Sequence, residues 1–356
     1  MLERQFTRRL LTPETVTPSR EDLKVIGVFN PGAARLPDGR VVLMVRVAES
    51  PAETHKDHHA LPRWGADGSL VVEHLPKDQD TLGDPRKVVR AADGLMRLKF
   101  VSSIRTFVLD QAGTGVVEER TPLTCDGPYE TFGVEDPRIT PIDGTYFVTY
   151  VSVSEHGAAT SLATTTDFES YERHGVIFCP ENKDVVLLPD KIAGRLAALH
   201  RPNTYQRFCK PEMWYATSAD GYAWGGHRHV WSGRFDWDND RIGAGTPPLR
   251  VRRGDRDGYL EIYHGSRRAT KKGEVGAYMA GLLLLDPDNP AKVRAHTPEP
   301  VMGAQEDWER RGFVPDVVFP TGVVEDGDRW LVYYGAADTY VGVTAFAVDD
   351  LLGALR

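Results

Sequence analysis

The chain has 356 residues, 41% of them hydrophobic, and a formal net charge of −8. That length and apolar content suit one large domain or two ordinary ones with a substantial core, and the acidic balance argues against a surface that coats nucleic acid. The basic opening MLERQFTRRLLTPETV lacks the apolar run of a signal peptide, and no stretch approaches the ~18 apolar residues of a membrane helix, so neither nucleic acid nor membrane is expected as a partner.

Residues 1–25 read as an N-terminal extension. Beyond them, apolar residues seldom recur at i, i+3 and i+4. The chain instead shows β-rich runs at Val41–Val47, Tyr146–Val153, Tyr259–His264 and Trp330–Tyr334. Each follows an Asp-Gly pair: Asp38-Gly39, Asp143-Gly144, Asp257-Gly258 and Asp326-Gly327. Further pairs stand at Asp67, Asp93, Asp126 and Asp220. Asp-Gly is a favoured loop of the two-residue hairpin, so many short strands joined by tight turns predict an all-β protein. The spacing leaves room for ~5 units of ~70 residues, ample for a four-stranded blade with long loops. A β-propeller therefore fits better than a sandwich, and residues 1–356 read as a single catalytic domain.

Several strand runs end in polar residues beside glycine or proline: Asn30, Arg46, Lys183 with Asp184, His200 with Arg201, His264 and Asp338. In a propeller, strand ends of different blades converge at one end of the channel, so residues far apart in sequence can meet there. Each also has a plainer reading: Asn30 before Pro31 as a turn former, Arg46 on a strand face, Arg201 bonding a carbonyl, His264 packed in the core. Together, Lys183, Arg201 and His264 form a cationic set suited to an oxyanion such as phosphate. The heptapeptide GVEDPRI at 133–139 places Glu135 and Asp136 side by side at the mouth of a strand. It either pins a turn or holds a carboxylate for chemistry.

Other groupings are poor. His55, Asp57, His58 and His59 resemble a metal cluster but lie in a polar loop without a spaced second pair, and read as a solvated loop. Cys125, Cys179 and Cys209 are odd in number and form no CxxC pair, which suits a reducing, cytoplasmic setting with no structural zinc. No metal or cofactor is expected.

The motifs NPGAARLPDGRVVLMVR (30–46), GVEDPR (133–138), ENKDVVLLPDKIAGRLAALHRP (181–202), IGAGTPPL (242–249), LEIYHG (260–265), VPDVVFPTG (314–322) and YYGAADT (333–339) occur in this order. As an ordered set they resemble glycoside hydrolase family 130. The resemblance implies a five-bladed β-propeller and an inverting β-mannoside phosphorylase. Asp136 would be the general acid, acting through a sugar hydroxyl. Lys183, Arg201, His264 and Tyr278 would hold phosphate, and Asn30, Arg46 and Asp338 would contact the mannosyl unit. The partners would be a β-mannoside oligosaccharide and inorganic phosphate as co-substrate, with homo-oligomerisation left open.

The chemistry is coherent. Inverting cleavage needs an acid for the leaving oxygen and a nucleophile on the opposite face. Phosphate is already nucleophilic, so cations that hold it in line replace the second carboxylate of a hydrolase. Two alternatives stand beside this one: a β-mannosidase on the same fold, with Asp316 or Glu261 as base, and a non-catalytic glycan-binding propeller. The chain departs from the family at Asp316, where asparagine is frequent, and at Leu188 and Asp190, which flank Pro189. Segment 50–130 resembles it poorly.

Overall fold

The computed structural model describes residues 1–65, 67–203, 208–270 and 275–356. It is built almost wholly of antiparallel strands, and among the described residues its α-helices are short, Asp307–Arg310 and Val348–Gly353. Strands Leu23–Arg35, Val41–Pro51, Val101–Leu109 and Val116–Leu123 form one antiparallel run, and Gly133–Ile142, Thr145–Ser154, Gly157–Thr165 and Glu172–Phe178 a second. One parallel residue pair, Gly133 with Ser102, joins them. A four-stranded sheet follows over Asn182–Leu187, Leu196–Pro202, Met213–Ser218 and Trp224–Trp231. Next comes a sheet centred on Arg256–Ser266 and Tyr278–Leu285, flanked by Arg241–Ala244, Leu249–Arg253 and Val293–His296. The last sheet takes Val318–Asp326, Arg329–Ala336 and Tyr340–Ala347.

That last sheet corrects the reading of residues 1–25 as an extension. Strand Phe6–Leu11 pairs with Tyr340–Ala347, Phe6 opposite Ala345, so the first strand of the chain completes the last sheet. Few apolar residues mark it, because it lies at a sheet edge.

Side-chain alternation explains the core. Val41, Leu43, Val45 and Val47 pack with Leu331, Tyr333 and Val343, while Val42 and Met44 face the other way, against Val148 and Tyr150. Strands buried on both faces read as continuous apolar runs rather than alternating ones. Three more clusters of the same kind fill the gaps between successive sheets: Leu162 with Leu187 and Ala198, Leu199 and Tyr215 with Tyr263, and Leu282 and Leu284 with Trp330 and Phe346. Each fully buried large apolar side chain contributes about 1.5–3 kcal/mol.

The Asp-Gly turns hold in part. Asp143-Gly144 joins two paired strands with φ of 50° and 79°, as a primed turn requires, and Gly39 and Gly327 also take positive φ between strands. Asp257-Gly258 does not turn: it lies within Arg256–Ser266, and the reversal falls three residues earlier, between Arg253 and Arg256, where Gly254 has φ 58°.

The first strands of successive groups lie beside one another. Leu23–Arg35 touches Gly133–Ile142 and Val318–Asp326, Gly133–Ile142 touches Asn182–Leu187, and Asn182–Leu187 touches Arg241–Ala244. Asn30, Asp136, Lys183 and Asp184, which these strands carry, are thereby brought toward one place, whereas His200 lies elsewhere, bonded to Asn182 and His227.

Candidate active site

The motif expected at the mouth of a strand is inside one. GVEDPR belongs to Gly133–Ile142, and the register against the next strand shifts between Glu135 and Arg138. Asp136 sits in that shift with φ 51°. The same device recurs twice. Asn30 (φ 52°) lies in a shift between Phe29 and Gly32, and Asp184 (φ 54°) in one between Lys183 and Val186. A bulge re-aims a side chain and leaves the extra residue unpaired, and Asn and Asp tolerate the left-handed backbone better than other residues with a side chain. Pro31 and Pro137 suit a bulge because they offer no N–H to the ladder.

These side chains converge. Asn30 Nδ2 donates to Asp136 Oδ1 at 2.9 Å, and Arg46 Nη1 donates to the same oxygen at 3.1 Å. Arg46 Nη2 bonds Glu135 Oε1 at 2.6 Å, and the guanidinium lies 4.7 Å from the Phe29 ring centroid. Arg138 Nη1 donates to the Asp136 carbonyl at 2.6 Å and Nε to Gly245 O at 3.1 Å. Burial opposes ionisation of Asp136, but Arg46, Arg138, Asn30 and Lys183 outweigh it and hold the carboxyl below the usual range.

The expected oxyanion group also assembles. Arg201 Nη1 lies 3.1 Å from His264 Nε2, and the His264 and Tyr278 ring centroids are 6.0 Å apart. Lys183 Nζ is 3.8 Å from Glu135 Oε2. One member differs in charge from the expectation. Burial lowers the His264 pKa and outweighs the pull of Asp184, so the ring is neutral near pH 7 and acts as a hydrogen-bonding group.

Sequence reasoning passed over four residues here. Asp184, noted only as a polar neighbour of Lys183, pairs with Arg201 at 2.6 Å, stands 3.3 Å from His264 Nε2 and 3.6 Å from Arg138 Nη2. Gly243 is glycine because a Cβ there would fall 2.3 Å from Asp184 Oδ2 and 2.5 Å from the His264 ring. Arg241, just before IGAG, reaches the Tyr278 hydroxyl at 3.4 Å. Arg86 comes from GDPRK, in the segment that matches the family poorly; its resemblance to GVEDPR was the available signal.

Two cavities meet at Lys183. The larger, about 710 Å³, is lined by Lys183, Arg201, Lys210, Arg241 and Arg268 with Glu212 and Asp240. The smaller, about 190 Å³, is lined by Arg46, Glu135, Arg86, Asp338, Phe100, Phe313 and again Lys183. Asp338 has φ 49° there, and burial with the charges of Asp136 and Glu135 raises its pKa to about 6 against the pull of Arg46 and Arg86. Glu261 lines neither. It is buried, accepts a bond from Gly245 N at 2.9 Å, and burial pushes its pKa well up, which leaves it a neutral acid rather than a base. Asp316 is exposed and lines a neighbouring cavity with Arg86 and Phe313.

Residues 110–356 match the model of glycoside hydrolase family 130, described as β-1,4-mannooligosaccharide phosphorylase. A β-1,2-mannobiose phosphorylase of Listeria innocua is 36% identical over 98% of this chain and 96% of its own length. The Ruminococcus albus β-1,4-mannooligosaccharide phosphorylase is 32% identical over 61% of this chain and 63% of its own. The solved structure of the Listeria innocua β-1,2-mannobiose phosphorylase with β-1,2-mannobiose superposes with a TM-score of 0.89, covering 98% of both chains. The chain belongs to glycoside hydrolase family 130.

Proposed function

We propose that this protein is an inverting β-mannoside phosphorylase: a β-mannoside and inorganic phosphate give α-mannose 1-phosphate and the released sugar. The observation that carries the reading is the junction at Lys183. A cavity rich in cations, with Arg201 and Arg241, adjoins one walled by Arg46 and Asp338. An anion in the first would lie beside a sugar in the second, which is what in-line attack on the anomeric carbon requires.

In this reading Asp136 is the general acid. Lys183, Arg201, His264 and Tyr278, joined by Arg241, hold phosphate. Arg46 and Asp338 bind the mannosyl hydroxyls, and Asn30 serves that subsite through its bond to Asp136. No cofactor is called for, because phosphate itself is the nucleophile. The relative aligned over nearly the whole chain is named for β-1,2-mannobiose, so that disaccharide is the first substrate to test and the β-1,4 isomer the second. We also infer a five-bladed propeller forming one catalytic domain. Five antiparallel groups, five cores between neighbouring groups, and the first strand's place in the last sheet support it. Three free cysteines suit a reducing, cytoplasmic location, and among the described residues no helix is long and apolar enough to cross a membrane.

The test is to incubate the protein with each mannobiose, with and without phosphate. Phosphate-dependent formation of α-mannose 1-phosphate is expected. Release of two free mannoses at full rate in phosphate-free buffer would instead identify a hydrolase.

A further inference from the structure

The hairpin after residue 55 carries a group that the phosphorolysis reading leaves unused. Strands His58–Trp64 and Leu70–Pro76 pair antiparallel, with His58 opposite Pro76 and Ala60 opposite His74. Strand alternation puts His58 and His74 on one face as diagonal neighbours, and their ring centroids are 4.6 Å apart at 82°. His55, from the preceding loop, adds a third ring 4.1 Å from His58 and 5.6 Å from His74. One ring nitrogen from each of the three lies within 4.8 Å of the other two. Among the described residues, none of these rings hydrogen-bonds to protein. Their neighbour His59 points to the opposite face, where its Nε2 is 3.3 Å from Asp80.

We propose that His55, His58 and His74 form a three-imidazole site for a borderline divalent transition ion of the Zn²⁺ or Cu²⁺ class. Imidazole suits these ions, and a set without carboxylates does not suit Mg²⁺ or Ca²⁺. Zn–N bonds of about 2.0–2.1 Å place tetrahedral ligand nitrogens about 3.4 Å apart, so the rings must close by roughly an ångström. His74 stands nearly perpendicular to both partners. The stacked His55 needs a turn of its ring, which its loop position permits. Lys24, Lys77 and Lys99 line the adjoining cavity, and the Lys77 ammonium is tied to the His55 carbonyl oxygen at 2.8 Å, which anchors the loop. Three ligands leave a fourth position for water.

The site borders the sugar side of the molecule. A cavity of about 320 Å³ is lined by His55 and His58 together with Ile26, Phe100 and Phe313, and the last three also wall the cavity of Arg46 and Asp338. A bound ion would clamp the His55 loop to the hairpin along that wall. Its role is structural, since none of the three histidines reaches Asp136 or the cation set. The inference therefore stands apart from the phosphorylase reading and is tested without substrate.

The experiment uses the whole chain, stripped with EDTA and dialysed, then titrated with ZnCl₂ by calorimetry and with CuCl₂ by electron paramagnetic resonance. One equivalent per chain, nitrogen hyperfine structure on copper, and a melting temperature raised by several degrees at saturating zinc are expected. MgCl₂ should give no heat. An outer-shell partner alone is worth about 10–100-fold in affinity, so loss of a ligand in His74→Ala or His58→Ala should weaken zinc at least tenfold. His74 is exposed, so its replacement leaves the packing intact. Cys179 and Cys209 are exposed and could also take zinc, which the His55→Ala/His58→Ala/His74→Ala variant controls. Zinc binding that is equally tight in this triple variant, or absent from the wild type, overturns the proposal.

Discussion

Asp184 Oδ2 stands 2.6 Å from Arg201 Nη1, and the same oxygen lies 3.3 Å from His264 Nε2. One buried carboxylate thus aims two of the groups proposed for phosphate, while its other oxygen faces Arg138, which bonds the Asp136 carbonyl. Asp136 and the Arg201–His264 pair are braced by a single link. Burial disfavours its charge, yet Arg201, His264 and Arg138 hold its pKa far below the usual range, so it stays ionised. Asp184→Asn should raise the Michaelis constant for phosphate at least tenfold and move that for the glycan much less. Removing one partner of a buried pair costs about 3–5 kcal/mol, so the melting temperature should also fall. Equal changes in both Michaelis constants would mean that Asp184 supports the fold without orienting the cradle.

Asp136→Asn isolates proton donation. The amide oxygen can still accept from Asn30 and Arg46, and asparagine tolerates φ 51°, so the fold should survive. Turnover should fall about 100-fold or more. Near-wild-type kcat in a variant with unchanged melting temperature would remove Asp136 from the chemistry.

Arg241→Ala tests a residue that motif reading overlooked. Arg241 lines the larger cavity and bonds Tyr278, so it should contribute to anion binding. A charge-assisted bond to phosphate is worth about 1.5–3 kcal/mol, or roughly 10- to 150-fold in phosphate affinity. Initial-rate kinetics at varied phosphate would show it, and an unchanged constant would confine the anion to Lys183 and Arg201.

Much of this arrangement was legible because particular residues encode particular backbones. Asp143-Gly144 turned where it was expected to, and GVEDPR marked the buried carboxylate on which Asn30 and Arg46 converge. Asp257-Gly258 failed because Gly254 supplied the positive φ first and left the later pair free to extend the strand. The shared bulge was half visible: Asn30-Pro31 and Asp136-Pro137 look alike, but Asp184-Val185 carries no proline and hides the third copy. Asp184 and Arg241 could not be assigned partners because theirs lie well away in sequence: Arg138, Arg201 and His264 for Asp184, Tyr278 for Arg241. Strand Phe6–Leu11 escaped for the same reason, since its partner is more than 300 residues away.

Asp338 carries opposite predictions for activity and stability. Its carboxylate makes no hydrogen bond to protein among the described residues, and its pKa of about 6 exceeds the ordinary value of 3.8. Between those two values the folded state holds more protons than the unfolded state, so stability falls as pH rises toward 6 and is flat above it. Asp338→Asn removes that cost and should add about 1–3 kcal/mol at pH 7. The gain should vanish below about pH 4, where the wild type is neutral in both states. Mannosyl binding should weaken in both directions of the reaction. Thermal melts at pH 4 and 7 would check the sign, and a stability loss at pH 7 would refute it.

The last prediction follows from the field around Asp136. Arg46, Arg138 and Lys183 keep its carboxyl ionised in the free enzyme, whereas phosphorolysis requires it to carry a proton. A phosphate anion against Lys183 and Arg201 would cancel part of that positive field. The Asp136 pKa should therefore be higher in the complex than in the free enzyme. The pH dependence of kcat/KM reports the free enzyme and that of kcat the complex, so the descending limb of kcat should lie at higher pH. Lys183→Met deletes one positive charge permanently. The ionised form of Asp136 then loses a stabilising neighbour, its pKa rises, and the limb of kcat/KM should move toward that of kcat. Measured at saturating phosphate, the kcat limb should move less, because the anion has already offset Lys183 in the wild type. A shift of the kcat/KM limb to lower pH would show that Lys183 does not act on Asp136 through charge.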